Sequence, residues 1–506
     1  MRRGETLHPS TRSDQRQPRG QLIARLAAAI GAGAVLQRPE ELMLYEYDAS
    51  ALDMAVPDVV VVPTSTAEVA AAVRIGAAAG WPVVARGAGT GLSGGSVAAA
   101  GGLVVSTARL DKILQIDPAN RVAVVQPGVV NVDLSAAAAP YRLHFAPDPS
   151  SQKSSTIGGN AAENAGGPHC LKYGVTTSHI LAATVVLSDG SVVQLGGEAP
   201  GAPGYDLLGA FVGSEGTLGI ATELTVRLTP DPEDVRTFLA IYDDPAPGSG
   251  LGLDAASDSV SAIIAAGIVP AALEMFEGQG IAIVEQSVHA GYPLDARAVL
   301  LIEIDGLREE LDAQAMRIDA ICTANGAREL RAARDEEQRK QLWAGRKGVL
   351  AACGRLRPHY HIQDGVVPRS RLTEVLRFTE EVAARNGLII VNVFHAGDGN
   401  LHPLLLFDLR EPGVRERAIA ASEEILRACV AAGGTISGEH GIGLEKRDYM
   451  SWIFSPADIE AMLQLRRAFD PLDAMNPCKQ LPSGASCADI KTARGAARAI
   501  AAGAWI

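Results

Sequence analysis

Apolar runs separated by glycine-rich loops organise the first half of the 506-residue chain. The run at 58–62 predicts a strand, and residues 67–79 predict a helix whose first turn is capped at Thr66, because a hydroxyl oxygen can accept an N–H there. Shorter apolar runs at 82–85 and 103–106 predict two strands on either side of a glycine-rich loop. Strand, helix, strand and loop in this order predict an α+β fold.

The loop between the last two strands holds glycine at positions 87, 89, 91, 94 and 95. Glycine has no Cβ and tolerates positive φ, so such a loop can place successive N–H groups against an anion. A loop that is merely flexible does not require this density of glycine. The spacing also matches a dinucleotide fingerprint, but residues 96–102 are too few for the helix that must follow it. No Lys-Ser or Lys-Thr pair of a Walker loop follows either, so the loop predicts phosphate binding in another kind of fold.

Two further glycine-rich stretches follow, at residues 156–174 and 213–220. The first contains Asn160 and Asn164, whose amides can bind a polar ring, and the second leads into the alternating run 222–228. Three separated glycine-rich loops predict one extended ligand that is held from several sides.

The pattern changes after Pro230, and a predicted hairpin in the second half brings two histidines together. Residues 387–395 and 404–407 are predicted strands, and the Asp-Gly pair at 398–399 is typical of a hairpin turn. If the strands pair, His395 and His402 face each other across the turn with Cβ atoms within about 5.5 Å. Strand-like runs between longer helical ones predict a substrate or cap domain here.

Glu439, in the segment 437–441 with a glycine on each side of the Glu-His pair, offers a third ligand beside the two histidines. Two imidazoles and one carboxylate suit a divalent metal ion with open positions, whereas the alternative is ordinary hydrogen bonding of buried histidines. The neighbouring His440 is a candidate general base because an imidazole titrates near neutral pH. It is alternatively a hydrogen-bonding partner of the metal ligands.

The chain carries 45 basic and 58 acidic residues, a net charge of −13, and has no long basic run. This balance argues against nucleic acid or an anionic membrane surface as the main partner. No stretch reaches the roughly 18 apolar residues of a spanning helix, and residues 1–20 lack a signal core, so a cytoplasmic protein is expected. The six cysteines include no CxxC pair, which predicts reduced thiols and excludes an internal iron–sulfur cluster.

A family resemblance rests on six motifs, which are RGAGTGLSGG (86–95), GGNAAENAGGPHCLKYG (158–174), GSEGTLGI (213–220), HAGDGNLHP (395–403), SGEHGIG (437–443) and NPCK (476–479). With them the chain resembles the FAD-linked D-2-hydroxy acid dehydrogenases, the family of the glycolate oxidase D subunit and D-lactate dehydrogenase. This family lies among the vanillyl-alcohol oxidase or PCMH-type flavoproteins. The resemblance implies a two-lobed PCMH-type FAD-binding domain plus a cap domain, of the FAD-linked oxidase C-terminal type, with an antiparallel sheet and helices.

The expected domains are a disordered tail at 1–20, the FAD-binding domain at 21–230, the cap domain at 231–481 and a second tail at 482–506. The end of the cap domain is expected to return to the FAD-binding domain.

The resemblance implies FAD as cofactor, with residues 87–95 around its pyrophosphate and the other two loops along the flavin and adenosine. Thr90 stands where many relatives carry a histidine bonded to the flavin, so non-covalent FAD is expected. The implied cofactor-binding residues are Arg86, Gly87, Ala88, Gly89, Thr90, Gly91, Leu92, Ser93, Gly94, Pro127, Gly128, Thr156, Gly158, Gly159, Asn160, Asn164, Gly166, Gly167, Gly213, Glu215, Gly216, Gly219, Ile220 and Asn476.

The resemblance also implies roles on the cap side. Arg346 is expected to bind the substrate carboxylate and His440 to take the hydroxyl proton. A Zn or Fe ion is expected on His395, His402 and Glu439.

Two departures from the family pattern bear on these roles. The lysine with which hydroxyglutarate-specific relatives bind a second carboxylate is not evident at 360–364, which favours glycolate or D-lactate as substrate. Cys478 replaces the glycine of the family's NPGK motif, which puts a close backbone contact there in doubt.

Two other functions stay open at this point. One is a non-catalytic flavin carrier subunit of the same complex, although such a carrier has no use for the motifs at 395–403 and 437–443. The other is a metallohydrolase whose loops bind a phosphorylated ligand. In the dehydrogenase, electrons are expected to pass to companion flavoprotein and iron–sulfur subunits at the inner membrane rather than to O₂.

Overall fold

The computed structural model describes residues 16–50, 53–199, 203–246 and 248–482. The helices are α1 (Arg19–Ile30), α2 (Pro39–Leu42), α3 (Thr66–Ala78), α4 (Asn131–Ala138), α5 (Ile157–Glu163), α6 (Cys170–Tyr173), α7 (Leu207–Phe211), α8 (Leu251–Ala265), α9 (Gly278–Val288), α10 (Arg308–Ala324), α11 (Glu336–Cys353), α12 (Leu372–Asn386), α13 (Val414–Ala431) and α14 (Pro456–Phe469).

The strands are β1 (Val35–Leu36), β2 (Val59–Val61), β3 (Val83–Arg86), β4 (Leu103–Ser106), β5 (Ile113–Asp117), β6 (Val122–Val125), β7 (Leu143–His144), β8 (Ile180–Val186), β9 (Val192–Gly196), β10 (Ile220–Arg227), β11 (Thr229–Pro230), β12 (Asp234–Tyr242), β13 (Ala272–Glu277), β14 (Ala298–Gly306), β15 (Glu329–Ala332), β16 (His359–Ile362), β17 (Gly365–Val366), β18 (Ile389–His395), β19 (Asn400–Leu401) and β20 (Pro403–Phe407). Helices and largely antiparallel sheets occur together, which confirms the predicted α+β class.

Two sheets build the first half of the fold. One has the order β1-β2-β4-β3, with β4 parallel to both neighbours, and α3 packs on it through Val69 and Val73. The other is antiparallel with the order β5-β6-β10-β8-β9. The first glycine-rich loop follows the end of β3 at Arg86, and the third directly precedes the start of β10 at Ile220. The sheets thus fix where both loops begin or end.

A nine-stranded sheet forms the cap, with the order β15-β12-β14-β13-β18-β19-β17 and with β20 joined to β18 and β16. Side chains of β14 alternate between two cores: Leu300 and Ile302 pack with α8, α10 and α12, while Val299 and Leu301 pack with α9 and α11. Both faces are covered, which explains why residues 298–302 of β14 form an unbroken apolar run. Helix α11 therefore lies on the face opposite to α8.

The first predicted helix begins one residue earlier than expected. Ser65, not Thr66, is the N-cap of α3, and its Oγ accepts the N–H of Glu68 at 3.3 Å. The Thr66 hydroxyl instead donates to Oγ of Thr222 in β10, at 3.0 Å. Thr66 therefore connects the helix to the second sheet instead of capping it.

Most of the two predicted tails, residues 1–15 and 483–506, lies outside the described residues, and residues 19 and 20 belong to α1. Near its end the chain returns to the first sheet, where the N–H of Asn476 donates to O of Val83 at 2.8 Å.

Cys478 is disulfide-bonded, so the expectation of six reduced cysteines is wrong. Its φ of 71° is one that favours glycine. Across the described ranges, no helix is both long and apolar enough to cross a membrane.

Candidate active site

A cavity of about 370 Å³ separates the glycine-rich loops from the cap. Residues 85–92, 156–166 and 214–221 contribute to one wall, and α11, β16, β18 and β20 contribute to the other. Cavities of this kind at domain boundaries are usual ligand sites.

The structure brings most of the predicted cofactor-binding residues together at this cavity. Those that line it are Arg86, Gly87, Ala88, Gly89, Thr90, Gly91, Leu92, Pro127, Thr156, Gly158, Gly159, Asn160, Gly166, Glu215, Gly216, Gly219 and Ile220. The others lie behind the wall and are Ser93, Gly94, Gly128, Asn164, Gly167, Gly213 and Asn476.

Asn476 illustrates how the residues behind the wall hold the loops. Its Nδ2 donates to O of Gly95 at 2.9 Å and to O of Glu215 at 2.6 Å, so it joins the first loop to the third. Lys479, fully buried, donates from Nζ to O of Gly95 and O of Val97 at 2.9 and 2.6 Å. Asn476 and Lys479 therefore hold the backbone of the first loop, and Asn476 also that of the third, through hydrogen bonds.

Two glycines allow the loops to approach each other. A Cβ on Gly158 would lie 2.3 Å from Cβ of Pro127, and a Cβ on Gly87 would lie 2.7 Å from Oγ1 of Thr156. These positions need glycine because neighbouring loops occupy the space of a side chain.

On the cap side the hairpin forms, but its register differs from the prediction. His395 pairs with Asn400 across the turn, and Asn392 pairs with Pro403, so His402 is not the strand partner of His395. The two imidazoles still lie close, with ring centroids 5.0 Å apart and planes at 87°. The turn is tighter than predicted, because it closes between His395 and Asn400. His402 is the single residue between β19 and β20.

The three predicted metal ligands converge on one point. Nε2 of His395 and Nε2 of His402 lie 3.3 and 3.1 Å from Oε1 of Glu439. All three residues are largely buried, and their ligand atoms lie within 4.8 Å of one another. The prediction that these residues come together from distant parts of the sequence is therefore matched by the geometry.

The hydrogen bonds of the two rings fix which nitrogen of each ring faces Glu439. Nδ1 of His395 faces Oε1 of Glu274 at 2.7 Å, and Nδ1 of His402 faces O of Gln363 at 3.2 Å, so each Nδ1 acts as donor. Each Nε2 therefore faces Oε1 of Glu439, and that of His395 is hydrogen-bonded to it at 3.3 Å. Nε2 of His402 is buried and forms no hydrogen bond of suitable geometry with any described residue.

The charges at this point are strongly coupled. Burial acts to lower the pKa of His395, but Glu274 and Glu439 outweigh it and raise that pKa well above its ordinary value. Burial also opposes ionisation of Glu439, yet His395 and His402 hold its pKa well below the ordinary value. Positive charge is therefore favoured at the centre of the cluster, whether a proton or a metal ion provides it.

Arg346 lies on α11 at the cavity wall, as expected for a group that binds a substrate. The structure adds that its Nε donates to Oε2 of Glu274 and that its Nη2 lies 3.5 Å from Nδ1 of His395. Glu274 thus holds both the predicted carboxylate-binding residue and a predicted metal ligand.

His440 lies beside the metal cluster and on the cavity wall. Its ring stacks on that of His402, with centroids 4.9 Å apart and planes at 10°, and its Nε2 lies 3.7 Å from Oε1 of Glu439. Burial, only partly offset by Asp364, lowers the pKa of His440 to about 4. The imidazole is therefore neutral at physiological pH and has a lone pair with which to accept a proton.

Asp364 is the functional residue that sequence reasoning missed. Its buried carboxylate accepts the N–H groups of Gly438, Glu439 and His440 at 3.0, 3.2 and 2.8 Å and faces Nζ of Lys446 at 3.2 Å. It thereby fixes the backbone that presents Glu439 and His440. The available signal was an aspartate two residues after the strand His359–Ile362 and directly before the glycine of β17.

Glu215 has a related function on the other wall. It lines the cavity as predicted, but its carboxylate accepts the N–H groups of Ile442 and Gly443, each at 2.7 Å. The third glycine-rich loop is therefore connected directly to the segment that carries His440.

Comparison with known proteins assigns the two halves. Residues 57–196 match the family described as FAD binding domain, and residues 252–480 match FAD linked oxidases, C-terminal domain. The chain is 44% identical over 456 residues to the glycolate oxidase subunit GlcD of Escherichia coli strain K12, covering 90% of each chain. It is 35% identical over 432 residues to the D-lactate dehydrogenase of Anaerostipes hadrus, covering 84% of this chain and 89% of that one.

The fold is shared with a more distant flavoprotein. A crystal structure of p-cresol methylhydroxylase with substrate bound superposes with a TM-score of 0.74 at 17% identity, covering 91% of this chain and 96% of that chain. This likeness confirms the predicted PCMH-type fold and is used for the fold alone. The two domain matches and the relatives of 35–44% identity place the chain in the FAD-linked oxidase family of glycolate oxidase subunit GlcD and D-lactate dehydrogenase.

Proposed function

We propose that this chain oxidises a small 2-hydroxy acid, glycolate or D-lactate, to the corresponding 2-oxo acid, with FAD as the immediate electron acceptor. One observation carries the proposal: the cluster of His395, His402 and Glu439, with His440 beside it, lies across the cavity from the FAD-binding loops. A non-catalytic flavin carrier has no use for this arrangement, and the match of residues 57–196 to the FAD binding domain family argues against a phosphate-binding metallohydrolase.

The residues of the cavity fit both prosthetic groups. The glycines that a Cβ would block, Gly87 and Gly158, make a backbone cradle suited to a pyrophosphate. The orphaned Nε2 of His402, opposite Glu439, suits a divalent Zn or Fe ion. Thr90 lines the cavity and cannot form a histidyl bond to the flavin, so the FAD is proposed to be non-covalent.

When bound, FAD supplies the acceptor for the C2 hydrogen with its electron pair, and the divalent cation supplies a Lewis acid for the C2 oxygen. Arg346 binds the substrate carboxylate through Nη groups at the cavity wall, because its Nε is committed to Glu274. His440 accepts the proton of the C2 hydroxyl at its ring nitrogen. The proton and the C2 hydrogen with its electron pair leave the substrate, which balances oxidation of an alcohol to a ketone or aldehyde.

The cap wall suits a small substrate with a short apolar side chain. Beyond Arg346 it carries the apolar groups Val349, Leu350, Ile362, Val393 and Leu404, together with Lys347, Tyr360, His402, Glu439 and His440. A second carboxylate placed against the apolar groups would be desolvated, which costs about 2–7 kcal/mol per unpaired polar group. These apolar groups support glycolate or D-lactate, and a hydroxydicarboxylate would have to pair with Lys347, whose Nζ lies 5.8 Å from the centroid of the Trp343 ring.

Electrons are proposed to leave through a partner at the inner membrane. The relative named glycolate oxidase subunit GlcD is by that name part of an assembly. The two matched regions describe FAD-linked domains, and cluster-type CxxC spacing is missing from the sequence. We therefore assign electron transfer to companion flavoprotein and iron–sulfur subunits.

The test is the absorbance spectrum of the purified protein before and after anaerobic addition of glycolate or D-lactate. Bleaching of the oxidised flavin bands is expected, and a His440→Asn variant should retain FAD but lose the bleaching. Bound flavin that small 2-hydroxy acids do not reduce would contradict the proposal. Acid precipitation should release the flavin into the supernatant, whereas flavin that remains in the pellet would contradict non-covalent binding.

A further inference from the structure

The second half of the GGNAAENAGGPHCLKYG motif does not line the cavity. Its lining residues end at Gly166, and residues 167–174 are not among them. Side chains of this segment instead contact the cap, where Leu171 packs against the apolar core and His169, Lys172 and Tyr173 form polar contacts. We call residues 167–174 the latch segment.

The polar side chains of the latch segment contact the cap at strand β14. Tyr173 donates from Oη to Oδ2 of Asp305 at 2.5 Å, and Nζ of Lys172 donates to both O and Oδ1 of Asp305. Two positions earlier on the strand, Oε1 of Glu303 lies 3.2 Å from Nε2 of His169. Both carboxylates are largely buried, so these contacts are made away from solvent.

His169 is held as a charged bridge between two acids. Its Nδ1 lies 2.8 Å from Oδ2 of Asp148 in the FAD-binding half, and its Nε2 faces Glu303 in the cap. Burial disfavours the charge, but Asp148 and Glu303 outweigh it and raise the pKa of His169 to about 10. A protonated ring can donate from both nitrogens at once, which a neutral ring cannot.

Glu303 also binds two side chains of α11 and so connects His169 to this helix. Arg339 binds it with two hydrogen bonds of 2.9 Å, and Nε1 of Trp343 donates to it at 2.6 Å. The ring of His169 also stacks on Trp343, with centroids 5.4 Å apart and planes at 28°. Residues 339, 343 and 346 follow each other at helical spacing, so the same face of α11 continues to Arg346.

We propose that His169 is a positioning residue: through Glu303 and Trp343 it holds α11 so that Arg346 is presented to the substrate carboxylate. The inference rests on the proposed function for the role of Arg346, but the contacts themselves do not. His169 is thereby the point at which the FAD-binding half fixes the substrate-binding helix of the cap.

The variant His169→Phe keeps a ring on Trp343 and removes both nitrogens. In anaerobic stopped-flow reduction with D-lactate or glycolate, we expect the apparent Kd to rise about tenfold while the limiting rate of flavin reduction and the FAD content change little. The matched control is His359→Phe, since His359 stacks on Phe407 inside the cap and should change neither quantity. An unchanged Kd, a fall in the limiting rate alone, or loss of FAD would each overturn the proposal.

A second measurement tests whether the effect passes through Arg346. In an Arg346→Gln background, His169→Phe should raise the apparent Kd no further, whereas multiplicative effects would overturn the proposal. Hydrogen exchange gives a readout that does not depend on the substrate: amides at 336–353 should exchange faster in His169→Phe than in wild type, and equal exchange would overturn the positioning role. If wild-type flavin is not reduced by 2-hydroxy acids, the proposed function fails while the exchange experiment still decides this inference.

Discussion

Nδ1 of His395 lies 2.7 Å from Oε1 of Glu274, on the side of the ring opposite the Nε2 that faces Glu439. The other oxygen of the same carboxylate accepts the N–H of Nε in Arg346. Glu274 is almost fully buried, and although burial opposes its ionisation, His395 and Arg346 hold its pKa below the ordinary value. One charged residue thus orients a proposed metal ligand and the proposed carboxylate-binding group together.

Replacing Glu274 with Gln should weaken both functions at once. We expect bound metal and kcat/KM to fall by about 10–100-fold, the range for loss of a carboxylate behind a metal-binding histidine. Metal per flavin measured by mass spectrometry, with steady-state kinetics, checks this. The matched control is Glu277→Gln on the same strand: that carboxylate contacts Asn392 and Arg297, so the metal content should not change. Equal metal loss in both variants would contradict the assignment.

Removal of the metal should separate catalysis from flavin binding. The proposed metal ligands lie on the cap, whereas the glycine-rich loops lie on the opposite wall. Dialysis against a chelator should therefore abolish reduction of the flavin by substrate and leave the FAD absorbance in place. Zn or Fe added back should restore the reduction. Full activity in protein shown to be metal-free would exclude a catalytic metal.

The sequence predicts the loops and single residues of the site, but it does not predict the contacts between residues that are far apart in the chain. Glycine density identifies the three loops, and His395, His402 and Glu439 are identified by residue type. The register of the hairpin was wrong, because a short turn pairs His395 with Asn400. Glu274 was missed because it is 72 residues away from Arg346 and lies in an apolar strand, where no local pattern indicates its partners.

Asp364→Asn should destabilise the protein and disorganise the segment that carries His440. Asp364 and Lys446 are both buried, and removal of one charge from a buried pair costs about 3–5 kcal/mol because the other stays unpaired. We expect a clear fall in Tm and a fall in kcat, measured by thermal unfolding and flavin reduction. The control is Asp408→Asn, which removes an ion pair with the exposed Arg410 and should change Tm little because solvent screens the pair. Equal losses of Tm would contradict the role of Asp364.

The contribution of His169 to stability should depend on pH. Its pKa in the folded protein is about 10, raised above that of an unfolded histidine by Asp148 and Glu303 against the effect of burial. The stabilisation is therefore complete below about pH 6.5, the ordinary histidine pKa, and is lost as the pH rises towards 10. The difference in Tm between wild type and His169→Phe should shrink across this window. A constant difference from pH 6 to pH 10 would mean that the charge of His169 does not contribute.

Gly158→Ala should release FAD while leaving the fold intact. The new Cβ would lie 2.3 Å from Cβ of Pro127, and because both atoms are attached directly to the backbone, one of the two loops at the cavity must move. The control is Gly197→Ala, where no heavy atom of the described residues lies within 4 Å of the added Cβ. We expect the flavin-to-protein absorbance ratio to fall in Gly158→Ala and to stay at the wild-type value in Gly197→Ala, with similar far-ultraviolet circular dichroism in both. Full flavin content in Gly158→Ala would mean that the close approach of these loops is not needed to bind the cofactor.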